Sequence, residues 1–177
     1  MSNADDLHDL SSRLALRALA DDYASGCDRR DAALFVSAFH EDAVLVVHAA
    51  GDPDTTVATL RGHERLARVP GMLERYEKTF HFVGNTRYEI DALRATGEVY
   101  CLAHHLSRQG DESATNDHPD GSDGSDRSDL VMFVRYLDTY RRASGRWAID
   151  ERQVMVDWTE QRSVVPDASS GESRAKP

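Results

Sequence analysis

The spacing of apolar residues predicts helices in the N-terminal part of the chain. Between positions 16 and 27 apolar residues recur three or four positions apart, as on one face of an amphipathic helix. We expect Gly26 to end this helix in a left-handed conformation. Asp28 would then cap a second helix ending near residue 40, with Asp31 in its first turn.

The pattern after the second helix predicts mainly strands. A short apolar run at 43–49 indicates a strand, and 61–78 indicates a helical segment that Pro70 kinks or restarts. Four longer strands are predicted at 79–90, 96–108, 130–142 and 146–158. The sequence therefore predicts an α+β fold in which N-terminal helices cover one face of a curved antiparallel sheet.

Two segments lack the composition of a packed structure. Residues 109–129 are rich in acids, Ser and Gly and contain no large apolar side chain. Such a segment buries too little surface to offset its ordering entropy, so we interpret it as a flexible acidic hairpin insert. On the same grounds, residues 161–177 are expected to form a disordered tail.

Composition and charge limit the possible partners. A chain of 177 residues with 40% apolar residues suits one domain with a full core. A formal charge of −10 argues against binding to nucleic acid or an anionic membrane surface. The sequence holds no apolar run long enough to span a bilayer, and its acidic N-terminus does not resemble a signal peptide. Cys27 and Cys101 have neither disulfide nor metal spacing, so we expect reduced, buried thiols in a cytoplasmic protein.

Asp28 and His81 are the residues most suited to acid–base chemistry. His81 interrupts an otherwise apolar strand, and Asp28 lies at a break between two helical patterns. In one apolar cavity they could abstract a proton next to a carbonyl, with the carboxylate orienting the imidazole. This chemistry requires no metal or cofactor. The alternatives are that Asp28 only caps a helix and that His81 is only a core or edge residue.

Three further positions could support this reaction. Strand alternation puts a polar group on an otherwise apolar face at Arg135 and at one of His104 and His105, which point in opposite directions. Arg135 or the phenol of Tyr23 could hold an oxyanion that develops on the substrate. Tyr23 could equally be a core residue, and Arg135 could simply pair with an acid.

A series of short motifs along the chain resembles those of a known family. The motifs, in chain order, are YASGCDRRD (23–31), FHEDA (39–43), GH (62–63), HFVGN (81–85), YCLAHH (100–105), RYLDTYRR (135–142) and GRWAIDERQVMVDW (145–158). Over residues 8–160 the chain resembles the SnoaL-like members of the nuclear transport factor 2-like superfamily. It is most similar to the group of scytalone dehydratase, bile acid 7α-dehydratase and hexachlorocyclohexane dehydrochlorinase.

The resemblance implies a cone-shaped α+β barrel and a set of active-site positions. The matching positions are the Asp–His dyad Asp28 and His81, the tyrosine Tyr23, the cavity arginine Arg135, and a second polar position at His104 or His105. It implies a cofactor-independent lyase (dehydratase-like elimination) or isomerase acting on a hydrophobic polycyclic, steroid-like or polyketide-like molecule. The alternative is a non-catalytic subunit that resembles the β subunit of ring-hydroxylating dioxygenases. In both cases we expect a homo-oligomer, a dimer or trimer, because the convex face of a curved sheet needs covering.

Overall fold

The computed structural model describes residues 3–108 and 127–164. In chain order its elements are α1 (Asn3–Arg29), α2 (Ala32–Ser37), β1 (Phe39–Ala49), β2 (Asp52–Arg61), α3 (His63–Leu66), α4 (Val69–Met72), a 3₁₀ turn (Leu73–Arg75), β3 (Lys78–Asp91), β4 (Arg94–Arg108), β5 (Arg127–Ala143) and β6 (Arg146–Val164). Most of the predicted acidic insert and of the predicted tail lies outside the described residues. Residues 127–129 and 161–164 do not fit those predictions, because they extend β5 and β6.

The six strands form one curved, open sheet. Their order is β2-β1-β6-β5-β4-β3, so β2 and β3 are the edges of the sheet within the described residues. All neighbouring pairs are antiparallel except β1 and β6, which are parallel. The α+β fold with N-terminal helices on a curved sheet is confirmed, but the sheet is mixed rather than antiparallel. No hairpin joins β1 to β6, so the tight turn that makes neighbours antiparallel does not act on this pair.

In the first half of the chain one strand was not predicted, and one predicted helical segment has different bounds. Strand β2 was not predicted, because almost all its residues are exposed and give no apolar alternation. The segment 61–78 is not one helix but two short helices and a 3₁₀ turn. Pro70 does restart the helical backbone, since it lies in the first turn of α4.

Helix α1 continues beyond the predicted stop and ends in a Schellman motif. The left-handed residue is Arg30 (φ 58°), not Gly26. The N–H of Asp31 donates to the carbonyl of Gly26 at 2.9 Å, and the N–H of Arg30 donates to that of Cys27 at 3.3 Å. Asp31, not Asp28, caps α2 by accepting from the N–H of Leu34. Asp28 is therefore in the last turn of α1.

Gly26 has a packing role instead. A Cβ at this position would lie 2.7 Å from the backbone Cα and N of Phe35 in α2. The glycine therefore lets α2 fold back closely against the end of α1, which fixes the direction in which the last turn of α1 faces.

The core lies between α1 and the sheet. The buried stripe of α1 (Leu16, Leu19, Ala20, Tyr23, Ala24 and Cys27) follows the predicted apolar spacing. The opposing sheet residues include Val99, Tyr136, Tyr140, Trp147 and Ile149. Both cysteines are buried and free, as predicted. Among the described helices, none combines the length and apolar character needed to cross a bilayer.

Polar side chains of α1 also cover the open edge of β3. Arg13 donates to the carbonyl of Tyr88 at 3.0 Å, and Arg17 donates to those of Val83 and Gly84 at 3.0 and 3.3 Å. An edge strand has unpaired backbone groups, so these contacts satisfy β3 where it has no neighbouring strand. They also hold the middle of α1 against β3.

We predict that Gly26→Ala destabilises the protein by roughly 1–3 kcal/mol, because the Cβ would overlap the backbone of α2. The intrinsic helix preference for alanine acts in the opposite direction, by about 1 kcal/mol. Denaturant unfolding monitored by circular dichroism measures the difference. Gly71→Ala is the matched control, since nothing lies within 4 Å of its added Cβ. Equal stability of the two variants would contradict the packing role.

Candidate active site

The structure brings Asp28 and His81 into direct contact. Nδ1 of His81 lies 2.7 Å from Oδ1 of Asp28, and the backbone N–H of His81 donates to Oδ2 at 2.9 Å. The imidazole is 7% exposed and the carboxylate 21% exposed. A single carboxylate thus fixes both the strand backbone and the ring of the same residue, which leaves the ring little rotational freedom.

The position of Asp28 is costly for a carboxylate unless it is compensated. The C-terminal end of a helix carries a partial negative charge, which disfavours an acid there by about 0.3–1 kcal/mol. Burial raises the pKa of Asp28, but the hydrogen bonds from His81 and the Thr79 hydroxyl outweigh that effect and leave the pKa below its ordinary value. The carboxylate is therefore ionised at neutral pH and depends on β3 for its stabilisation.

This contact determines which ring nitrogen of His81 can react. An ionised carboxylate can only accept, so the neutral imidazole carries its proton on Nδ1. Nε2 then has a free lone pair, and no hydrogen-bond partner of Nε2 is found in the described part of the chain. The arrangement has the form of a general base whose orientation is fixed by an acid.

Strand register defines the face on which His81 lies. His81 pairs with Ala103, which pairs with Met132, and Thr79 pairs with His105, which pairs with Leu130. Paired residues on neighbouring strands point to the same side of a sheet. We call this the inner face, and α1 packs against it.

His105, not His104, is the second histidine on the inner face. Its ring makes an edge contact with that of His81, with 5.9 Å between the centroids. Nδ1 of His105 lies 3.3 Å from the carbonyl of Leu130. Burial, together with the charge of His81, lowers the pKa of His105 to about 4, so this ring is neutral beside the dyad.

His104 and Arg135 lie on the opposite, outer face, so the structure contradicts their expected place in the cavity. Nδ1 of His104 lies 2.7 Å from Asp129. Arg135 donates to Asp157 at 2.6 and 2.8 Å and to Glu98 at 3.3 Å. Arg135 is thus held by two acids, which is the alternative that the sequence left open.

Tyr23 is a core residue at some distance from the dyad. Its ring packs against Phe35 and Tyr136, with centroids 4.8 and 5.3 Å away. Burial raises the pKa of Tyr23 well above its ordinary value, so the phenol stays protonated. Within the described residues no hydrogen bond or ring contact joins Tyr23 to His81.

The cation that the inner face does hold is Arg152, to which the sequence analysis assigned no role. Its guanidinium is fully buried between the rings of Tyr23 and Tyr136, with Cζ 4.3 Å from each centroid. It donates to Asp138 at 2.7 and 2.9 Å, and Tyr140 donates to the same carboxylate. Nη1 of Arg152 has no hydrogen-bond partner among the described residues.

Cys27 and Cys101 are two buried thiols, and the charges of Asp28 and Arg152 both affect their pKa values. Burial raises the pKa of Cys27 to about 12, with a further contribution from Asp28, and burial raises the pKa of Cys101 to about 11. Both thiols are therefore protonated at neutral pH and are poor nucleophiles. They contribute apolar surface between the dyad and the buried guanidinium.

A recess of about 390 Å³ opens beside Asp28, the acid of the dyad, and His81 is not part of its lining. Its lining consists of Asp28, Arg30, Glu74, Tyr76, Glu77, Lys78 and Thr79. This lining is polar and charged, in contrast to the apolar cavity predicted from the strands. Among the described residues, no group of three or more His, Cys, Asp or Glu side chains is placed to hold a metal ion.

Arg30 closes one side of this recess. It donates to the Thr79 hydroxyl at 2.6 Å and to the carbonyl of Leu73 at 2.8 Å. Thr79 in turn is hydrogen-bonded to Asp28. The left-handed residue at the end of α1 thus ties the 3₁₀ turn and β3 to the carboxylate of the dyad.

Comparison with known proteins identifies the domain family and the fold of the chain. The family model of the SnoaL-like domain matches residues 8–153. The chain belongs to the SnoaL-like domain family. A search of curated proteins found no significant sequence match.

Solved structures similar to this SnoaL-like chain include enzymes named for eliminations. A type 2 hexachlorocyclohexane dehydrochlorinase (LinA) has a TM-score of 0.73 at 20% identity, covering 94% of this chain and 99% of its own. The LinA-type3 enzyme of Novosphingobium barchaimii LL02 has a TM-score of 0.69 at 19% identity, with 97% and 99% covered. A putative scytalone dehydratase of Novosphingobium aromaticivorans DSM 12444 has a TM-score of 0.62 at 19% identity, with 94% and 97% covered. At these identities the likeness establishes a shared fold.

We predict that His105→Gln flattens the pH dependence of stability in this SnoaL-like protein. The folded pKa of about 4 is below the unfolded value of about 6.5, so the unfolded state binds the extra proton between these values. The contribution of His105 to the free energy of unfolding is complete above pH 6.5. It is lost as the pH falls towards 4, by roughly 3 kcal/mol in total. Denaturant unfolding at several pH values compares the two proteins. If the free energy of unfolding changed with pH in the same way in both proteins, that result would contradict the burial of a neutral His105.

Proposed function

We propose that this chain is a cofactor-independent lyase or isomerase in which His81 abstracts a proton from carbon. The observation that carries the proposal is the double hydrogen bond between Asp28 and His81, which leaves Nε2 as the free base. The dehydrochlorinase and dehydratase names of similar structures support an elimination, although their likeness concerns the fold.

In the proposed elimination, Nε2 of His81 takes a proton from the carbon next to the one that bears the leaving group. The C–H electron pair becomes the new C=C π bond, and the leaving group departs with its own bonding pair. Asp28 stabilises the imidazolium that forms, because its charge lies 2.7 Å from Nδ1. In an isomerase the same proton would return to another carbon.

The proposed substrate is a hydrophobic small molecule, polycyclic, steroid-like or polyketide-like. The inner face is apolar beside His81, where the register places Val83, Cys101, Ala103 and Met132. Arg152 replaces Arg135 as the proposed cation for negative charge on the substrate. It is buried on this side of the sheet, and its Nη1 has no hydrogen-bond partner in the part of the chain that the structure describes. Neutral His105 can accept a hydrogen bond without adding charge.

A second candidate is a non-catalytic binding or assembly subunit. It is favoured by the outer face, where Phe80, Phe82, Tyr100 and Trp158 are each about half exposed. A patch of this kind suits contact with another chain, and the homo-oligomer remains a prediction. The Asp28–His81 pair distinguishes the candidates, since an assembly role does not require an oriented base.

We predict that His81→Ala lowers turnover by roughly 10²–10⁴-fold, because it removes the base. The assay follows product formation from halogenated cyclohexanes, hydroxy-ketones, steroid-like compounds and aromatic polyketides. Asp28→Asn should also lower turnover, since the amide can donate to Nδ1 and favour the wrong tautomer.

His104→Ala is the matched control for this experiment. It removes a histidine that also contacts an aspartate at 2.7 Å, but on the outer face. Its turnover should stay within about threefold of the wild type, the range expected for a residue away from the reacting atoms. Equal rates for His81→Ala and the wild type on a converted substrate would rule out the proposed base.

A further inference from the structure

A second cavity of about 390 Å³ lies between α1 and the hairpin that joins β5 to β6. Its lining consists of Ser11, Ser12, Ala15, Ala18, Leu19, Asp22, Ser37, Arg142, Gly145, Arg146 and Trp147. It shares no lining residue with the recess beside Asp28. The mechanism proposed above makes no use of it.

One residue of the lining, Trp147, carries a buried donor that has no partner among the described residues. Trp147 is 4% exposed, and its indole Nε1–H has no hydrogen-bond acceptor among the described residues. Buried polar groups are almost always paired, and a buried tryptophan N–H usually has an acceptor. A ligand oxygen would supply the acceptor that is missing here.

Two guanidinium groups give the cavity a positive charge. Arg142 is directly opposite Trp147 in the β5–β6 register, so the two side chains share a face. Nε of Arg142 donates to the carbonyl of Gly145 at 3.3 Å, and its Nη1 lies 3.1 Å from Nε2 of His8. Nη1 of Arg146 donates to the carbonyl of Ser37 at 2.8 Å. Each guanidinium has five N–H donors, so both keep donors for an anion. Asp22 is the one acid in the lining, and the formal charge stays positive.

The remaining surface is apolar and lies on α1. Ala15, Ala18 and Leu19 form a wall that, with the indole of Trp147, suits a flat hydrocarbon body. Cavities that hold small molecules combine such a wall with a few polar groups that fix the ligand's orientation. The two arginines and the unpaired indole N–H are polar groups of one kind, since all are donors.

We propose that this cavity binds a small aromatic carboxylate. The carboxylate lies between Arg142 and Arg146 and accepts from Nε1–H of Trp147, while the ring packs against Leu19. The proposal does not depend on the function proposed for the Asp28–His81 site.

The two tryptophans of the chain allow a direct test. The uniformly ¹⁵N-labelled full chain gives two indole N–H signals, assigned with Trp158→Phe, and is titrated with benzoate. The Trp147 signal should shift and saturate. Trp158, which is exposed and stacked on Phe133, should not shift, and serves as the internal control. Benzyl alcohol, the neutral analogue, and inorganic phosphate should each bind at least about tenfold more weakly, since one lacks the charge and the other the ring.

Charge variants should change the affinity in opposite directions. Arg142→Gln and Arg146→Gln should each weaken benzoate binding about tenfold, and Asp22→Asn should tighten it about twofold or more, because it removes the only negative charge of the lining. Arg68→Gln, which removes an exposed arginine outside this cavity, should leave the affinity unchanged.

Four results would overturn the proposal. They are the absence of a saturable Trp147 shift, benzyl alcohol binding as tightly as benzoate, phosphate binding as tightly as benzoate, and weaker binding by Asp22→Asn. The Asp22→Asn variant keeps the test decisive even if an arginine variant fails to fold. Asp22 makes no ion pair among the described residues, so we expect its substitution to leave the fold intact.

Discussion

The contact between Asp28 and His81 combines a structural task with a chemical one. Strand β3 is an edge of the sheet, and its outward backbone N–H groups need acceptors. Asp28 is at the unfavourable end of a helix dipole and needs donors. The backbone N–H and the Nδ1–H of His81 both donate to Asp28, so the edge strand gains an acceptor and the carboxylate gains two donors. The bond from the backbone N–H gives the edge of β3 a partner. The bond from Nδ1–H fixes the ring, so its free nitrogen is Nε2.

Two β-bulges decide which charged side chains reach the inner face. Counted from the β3–β4 turn without interruption, His81 would pair with His104. The bulge between Val83 and Thr86 shifts the register by one, so His81 pairs with Ala103 and His104 points outward. In the β5–β6 hairpin, the shift between Thr139 and Tyr140 pairs Asp138 with Arg152. The buried ion pair on the inner face therefore depends on a local irregularity of the ladder.

These bulges explain what could and could not be predicted from the sequence. Period-two alternation is a local property, so it correctly separated His81 from its exposed neighbours Phe80 and Phe82. Register between strands depends on bulges, which leave no clear signal in one sequence, so neither the choice of His105 over His104 nor the role of Arg152 could be deduced. The end of α1 was mispredicted because Gly26 is needed for close packing, whereas Arg30 adopts the left-handed conformation through its own hydrogen bonds.

The proposed base requires that the proton of neutral His81 is on Nδ1. A ¹⁵N–¹H correlation spectrum of the histidine rings, assigned with His81→Ala, reports which nitrogen carries the proton at neutral pH. In the neutral form of the ring we predict a proton on Nδ1 and a free Nε2, with Nδ1–H strongly downfield because it donates to an ionised carboxylate. A proton on Nε2, or a ring that averages between both forms, would contradict the account.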